Sequence, residues 1–122
     1  MNKNTLLIVE DEAIIAWDMK QILVQEGYDV PPIAVSAREA VEYTRKYKPD
    51  VILMDIILKG KETGLDAFYQ IRKEGIVPTI FITGNAHLLK NLESEGISNY
   101  RVLSKPPLEY KLFQVIGEVL NK

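Results

Sequence analysis

The sequence predicts a doubly wound α/β domain built on one five-stranded parallel sheet with five helices. Three observations carry that reading over the 122 residues. Short apolar runs alternate with longer amphipathic segments, the runs are continuous rather than alternating, and only a few residues connect one to the next. Continuous runs rich in β-branched residues mark strands buried on both faces, as a parallel sheet requires. Strands that alternate with helices imply right-handed crossovers, with helices covering both faces.

Thr5 to Val9 is the first strand, stopped by Glu10-Asp11-Glu12. A helix follows from about Glu12 to Glu26, with Ile15, Met19, Ile22 and Glu26 on one stripe and Gly27 as its terminator. Tyr28 to Val35 is a weaker second strand, because Pro31-Pro32 removes two donors and confines it to an edge. Ser36-Ala-Arg-Glu39 matches a capping box, opening a helix to about Tyr47 that stops before Pro49. In Val51 to Leu58, the third strand, seven apolar residues surround Asp55. A polar loop, Lys59 to Gly64, leads to a helix over Leu65 to Lys73. Pro78 to Thr83 is the fourth strand, followed by a helix carrying Leu88, Leu89 and Leu92 that ends at Gly96. Asn99 to Ser104 is the fifth strand. Lys105-Pro106-Pro107 breaks the chain, with the prolines expected just inside the start of the last helix. That helix carries Leu108, Leu112, Val115 and Val119 as its apolar stripe. An edge position for the proline-bearing strand favours the flavodoxin-like order 2-1-3-4-5.

Composition narrows the function. Apolar residues make up 47% and charged residues 26%, ordinary for one globular domain spanning 1–122. A net charge of -2 supplies no basic field for nucleic acid or a membrane surface. With no cysteine there is no disulfide and no thiolate metal site, which suits the cytoplasm. Apolar runs fall short of the ~18 residues that read as a membrane span.

The chemistry collects at the strand ends. In this fold Glu10 and Asp11 follow the first strand, Asp55 ends the third, Thr83 ends the fourth and Lys105 follows the fifth. Ligand crevices of open α/β sheets lie at the carboxyl ends of the strands. Packed carboxylates repel, so one holds a proton unless a cation is bound. Oxygen donors without sulfur or histidine favour a hard ion, and Mg2+ suits a few carboxylates plus water. Carboxylate, Mg2+, lysine and hydroxyl around one point are what a transferring phosphoryl group needs. Taken singly, each residue has a plainer reading as a turn, a helix-dipole partner or a solvated charge. His87 and Trp17 read as exposed surface residues.

Leu-Ile-Val-Glu10-Asp11-Glu, Ile-Leu-Met-Asp55-Ile, Phe-Ile-Thr83-Gly84 and Ser-Lys105-Pro106 occur in one order across nearly the whole chain. This ordered set resembles the response-regulator receiver domains of two-component signalling, the CheY-like form of the fold. The resemblance implies that Asp55 accepts a phosphoryl group from the phosphohistidine of a sensor histidine kinase or phosphotransfer protein. It implies Mg2+ held by Asp11, Asp55 and the backbone carbonyl of Ile57, with Glu10 acting largely through water. Thr83 and Lys105 would contact the phosphoryl oxygens, and Lys105-Pro106 is a candidate cis bond. The family uses the face of the fourth helix, fifth strand and fifth helix for homodimers or downstream protein targets. Such domains catalyse only their own phosphotransfer and dephosphorylation.

There are departures from the pattern. Val102 stands where the family usually has Tyr or Phe, three residues before the lysine, and Tyr100 lies two residues earlier on the same strand face. The loop after Asp55 lacks Met-Pro and is one residue longer before Gly64. Ile57 and Asn85 occupy positions that in receivers tune phosphoryl lifetime. One alternative is a degenerate receiver acting as a phosphorylation-independent interaction module. Another is an aspartyl-phosphate hydrolase of the haloacid-dehalogenase type, which wants a second acid where Ile57 stands. A flavodoxin-like cofactor binder would need a phosphate loop after the first strand.

Overall fold

The structure, a computed structural model, describes residues 3–121. Four strands, β1 (Leu6–Val9), β2 (Val51–Met54), β3 (Thr79–Thr83) and β4 (Tyr100–Ser104), form one parallel sheet in that order. Five α-helices connect and follow them: α1 (Ala13–Gln25), α2 (Ala37–Tyr47), α3 (Gly64–Glu74), α4 (Lys90–Ser94) and α5 (Glu109–Leu120). A 3₁₀ turn over Ala86–Leu89 leads directly into the short α4.

The predicted second strand is reduced to two isolated parallel bridges, Thr5 with Asp29 and Val9 with Ala34. It lies against β1 on the edge away from β2, so the expected spatial order survives while the continuous ladder does not. Two causes combine. Pro31 and Pro32 have no N–H to donate. Between the bridges, moreover, five steps along this segment match four along β1, so the pairing cannot stay in register.

Side chains alternate across the sheet. Leu7, Val9, Ile52, Met54 and Phe81 pack under α2, α3 and α4. Leu6, Ile8, Val51, Leu53, Ile80 and Ile82 pack under α1 and α5. All of β1, β2 and β3 is buried, which explains why their sequences are continuous runs of apolar and β-branched residues.

The helices refine the predicted stripes. In α1 the buried residues are Ala16, Met19 and Leu23, one position on from the predicted Ile15 and Ile22, and Glu26 is exposed. Ala16 sits in the core against the sheet, and Ile15 and Ile22 flank it half-buried. Gly27 ends α1 with φ 98°; its N–H bonds Val24 and that of Tyr28 bonds Leu23, a Schellman closure. Ser36 caps α2 by accepting from the Glu39 N–H at 3.1 Å, but the Glu39 carboxylate reaches the N–H of Val35 instead of Ser36. In α5 Leu112 and Ile116 are buried, whereas Leu108 is the exposed residue before the first turn. The prolines therefore precede the helix, and Lys105-Pro106 is cis.

α3 is tied to its neighbours by polar contacts. Arg45 of α2 pairs with Glu74, and Arg72 donates to the Ser98 carbonyl at 3.2 Å. The Tyr69 hydroxyl donates to Glu95, just past α4, at 2.6 Å. That bond is the main reason the Tyr69 phenol is pushed up to about 12. Its folded value lies above the unfolded 10.0, so this brace stabilises fully below pH 10 and is lost as pH rises toward about 12. Alkaline absorbance titration should show a late-ionising phenol that Glu95→Ala abolishes. An unchanged titration in that variant would mean the brace does not hold in solution.

Candidate functional site

The parallel register brings the ends of β1 and β2 level, with Val9 beside Met54, while β3 runs two residues past Phe81, the partner of Met54, to end at Thr83. The residues that follow β1 and β2 therefore emerge side by side at the carboxyl edge. The Glu10 N–H bonds the Ala34 carbonyl at 2.9 Å, and the Asp55 N–H bonds the Val9 carbonyl at 3.0 Å. These bonds hold both backbones in line with the sheet while their side chains turn over its end.

Glu10, Asp11 and Asp55 each offer a carboxylate oxygen, and the three oxygens lie within 4.8 Å of one another. Glu10 and Asp55 are buried, at 3% and 6% exposure, so their charges must be compensated. Lys105 supplies the compensation, its Nζ lying 2.8 Å from Glu10 Oε1 and 2.9 Å from Asp55 Oδ2. Burial alone would lower the lysine's proton affinity, but hydrogen bonds to Glu10 and Asp55 outweigh it and hold the ammonium well above the ordinary lysine value. Burial pushes the Glu10 carboxyl up, offset in part by the bonds from Lys105 and the Glu12 N–H.

Backbone donors orient the remaining oxygens. Asp55 Oδ1 accepts from the Ile57 N–H at 3.3 Å, and Asp11 Oδ2 from the Lys59 N–H at 2.7 Å. The loop after β2 thereby clasps Asp11, although its sequence signals only a polar connection.

Thr83, at the end of β3, is buried, and its hydroxyl accepts from the Asn85 N–H at 2.9 Å. Its carbonyl accepts from the Lys105 N–H at 3.2 Å, which fixes the start of the lysine loop. Asp11, Glu12, Asp55, Ile57, Gly84, Asn85 and Lys105 line a shallow cleft above the sheet. Glu10, Asp11, Asp55 and Lys105 thus meet as expected from the sequence, and Ile57 and Asn85 flank them. The Thr83 hydroxyl instead faces its own loop. Val102 is exposed, and Tyr100 is taken up in packing against Phe68 and Phe81, with ring centroids 6.5 and 6.1 Å away. His87 and Trp17 are surface residues.

Two contributors were missed by sequence reasoning. Glu12 places Oε1 3.3 Å from Lys105 Nζ, and the unbroken acidic triplet was the available signal. Gly64 opens α3 against the backbone of Asp55, where a Cβ would meet the Asp55 carbonyl oxygen at 2.0 Å. The Thr63 and Asp66 capping box around it could have been read from Thr-Gly-Leu-Asp.

A buried carboxylate at a strand end, two more acids beside it and a lysine just after the last strand meet at the carboxyl edge of a doubly wound sheet. The chain belongs to the response regulator receiver domain family, whose model matches residues 6–117. The transcriptional regulatory protein PdtaR of Mycobacterium tuberculosis is 37% identical over 99 residues, covering 80% of this chain and 48% of that protein. The receiver domain of the Erythrobacter litoralis PhyR response regulator superposes with TM-score 0.85 at 30% identity, covering 98% of this chain and 92% of that one. The anti-anti-sigma factor PhyR from Bartonella quintana matches with TM-score 0.80 at 30% identity, over 98% of this chain and 48% of that one. The chain spans about half the length of the curated relatives it matches. No helix among the described residues is long and apolar enough to cross a membrane.

Proposed function

We propose that the chain is a phosphoacceptor signalling module of a two-component phosphorelay, with residues 1–122 as one receiver domain and Asp55 as the acceptor. The observation that carries this is Asp55 itself, a buried carboxylate with one oxygen on Lys105 and the other on the Ile57 N–H. A carboxylate oxygen of Asp55 attacks phosphorus, the P–N bond of a phosphohistidine breaks, and its electron pair stays on the imidazole nitrogen. Lys105 balances charge as the carboxylate gives way to an acyl phosphate, and the Thr83 hydroxyl turns from its loop to donate to a phosphoryl oxygen. Hydrolysis reverses the state, as a water oxygen takes the phosphoryl group and the aspartate returns. The chemistry resets a switch, and no external substrate is turned over.

The donor set fits a divalent cation, since all three clustered groups are carboxylates and a single lysine leaves them under-compensated. Asp11, Asp55 and the Ile57 carbonyl would hold Mg2+, with Glu10 reaching it through water. When bound, the ion supplies positive charge against the phosphoryl oxygens. The phosphodonor is a sensor histidine kinase or phosphotransfer protein of the cytoplasm. Output passes to a protein target or a second copy through the face of α4, β4 and α5. The anti-anti-sigma naming of one matched structure supports a protein rather than a nucleic acid as that target.

Intact mass after incubation with acetyl phosphate tests the reading. One phosphoryl group should be gained with Mg2+ present and none once a chelator removes it. If no gain occurs and beryllofluoride with Mg2+ leaves the NMR signals of Thr83 and Lys105 unmoved, the phosphoswitch is wrong.

A further inference from the structure

Lys105 carries more partners than the phosphoacceptor chemistry asks of it. An ammonium has three N–H donors and no acceptor. Three carboxylates take them, Glu10 at 2.8 Å, Asp55 at 2.9 Å and Glu12 at 3.3 Å. For this lysine to engage the phosphoryl group of an incoming donor while Asp55 is still a free carboxylate, one existing partner must yield. The partners are not equivalent, as side-chain exposure is 4% for Glu10, 7% for Asp55 and 61% for Glu12. Glu10 is also held by the Glu12 N–H at 3.1 Å, so releasing it would strand a buried charge. Glu12 has the longest contact and opens onto solvent, so it leaves at least cost.

We infer that Glu12 is an electrostatic gate on phosphorylation. Its carboxylate occupies the third donor of Lys105 in the resting protein and is displaced when a phosphoryl group arrives. This deepens the phosphoacceptor reading and rests on it. Glu12 acts through Lys105 and is a positioning residue. It also lines the cleft beside Asp11 and Asp55, adding negative charge where an anionic donor must approach. Both effects weaken donor engagement, and neither touches the bond being made. The gate therefore belongs in the half-saturating donor concentration and not in the maximal rate.

The Glu12 side chain makes no cap hydrogen bond to α1, so Glu12→Gln removes the charge without removing a cap. The test is the rate of phosphorylation by acetyl phosphate at saturating Mg2+, followed by intact mass over a range of donor concentrations. Wild type, Glu12→Gln and Glu12→Asp are compared at low and high salt. Glu12→Gln should lower the half-saturating concentration about three- to tenfold, the size expected for one charge removed ~6 Å from an anion in high dielectric. The maximal rate should be unchanged, and the advantage should shrink at high salt, which a merely structural role would not produce. Glu12→Asp keeps the charge but shortens the reach, and should give a smaller fall. An unchanged half-saturation in Glu12→Gln, with wild type still phosphorylated, overturns the gate alone. A lowered maximal rate also overturns it. If wild type takes up no phosphoryl group, the gate falls together with the reading beneath it.

Discussion

Asp55→Asn should abolish the Mg2+-dependent phosphoryl gain from acetyl phosphate, a fall of more than about a hundredfold in rate. Asparagine keeps the shape of the side chain and can still accept from the Ile57 N–H through its carbonyl oxygen. It loses the anionic oxygen proposed to attack phosphorus and weakens the 2.9 Å contact to Lys105. The fold should survive, because Lys105 keeps Glu10 and Glu12 and because one buried negative charge has left a crowded cluster. Circular dichroism of the variant separates loss of chemistry from loss of structure. A phosphoryl gain that persists in folded Asp55→Asn would place the acceptor elsewhere, with Asp11 the first candidate from the geometry.

Gly64→Ala should be the most destabilising single-methyl change at a glycine of this protein, costing about 3 kcal/mol or more. An added Cβ would lie 2.0 Å from the Asp55 carbonyl oxygen and 2.9 Å from its carbonyl carbon. Both are backbone atoms, so no rotamer change relieves the overlap. The Gly64 N–H bonds the Ile56 carbonyl at 2.7 Å, which holds the two segments together. Relief must come from shifting the start of α3 or the backbone of Asp55, so donor chemistry should suffer with stability. Gly117→Ala is the contrast, since nothing lies within 4 Å of its added Cβ and it sits inside α5. That change should stabilise by roughly 0.5–1 kcal/mol through helix propensity and a less flexible unfolded chain. Urea midpoints of both variants settle the matter, and an unshifted Gly64→Ala midpoint would refute the close approach.

Most of this fold was legible because its signals are local. Leu6 to Val9, Val51 to Met54 and Thr79 to Thr83 are buried on both faces, and such strands are written as continuous runs of apolar and β-branched residues. Gly27 and Ser36 marked helix ends through their own backbone chemistry. The α1 stripe was misplaced by one position because Ala16 has too little side chain to announce burial, while Ile15 and Ile22 look like core and are only half covered. The second strand failed for a reason half visible in advance. Pro31-Pro32 predicted an edge, but the extra residue that breaks register appears only when the segment is laid beside β1.

The candidate site divides in the same way. Its charged residues were in the sequence: three acids and a lysine at strand ends need only a parallel sheet to converge. Which groups touch was not, because a hydrogen bond between residues 50 or 93 positions apart depends on side-chain directions that no local pattern encodes. Tertiary structure alone decided that Lys105 is shared among Glu10, Glu12 and Asp55, and that the Thr83 hydroxyl rests on Asn85. It alone decided that Tyr100 is spent on Phe68 and Phe81, and that Gly64 must lack a side chain. The sequence by itself determined four of the five expected strands, their order and the residues at the carboxyl edge of the sheet, because burial and backbone chemistry act residue by residue. Close packing decided the rest, because it acts only between segments already brought together.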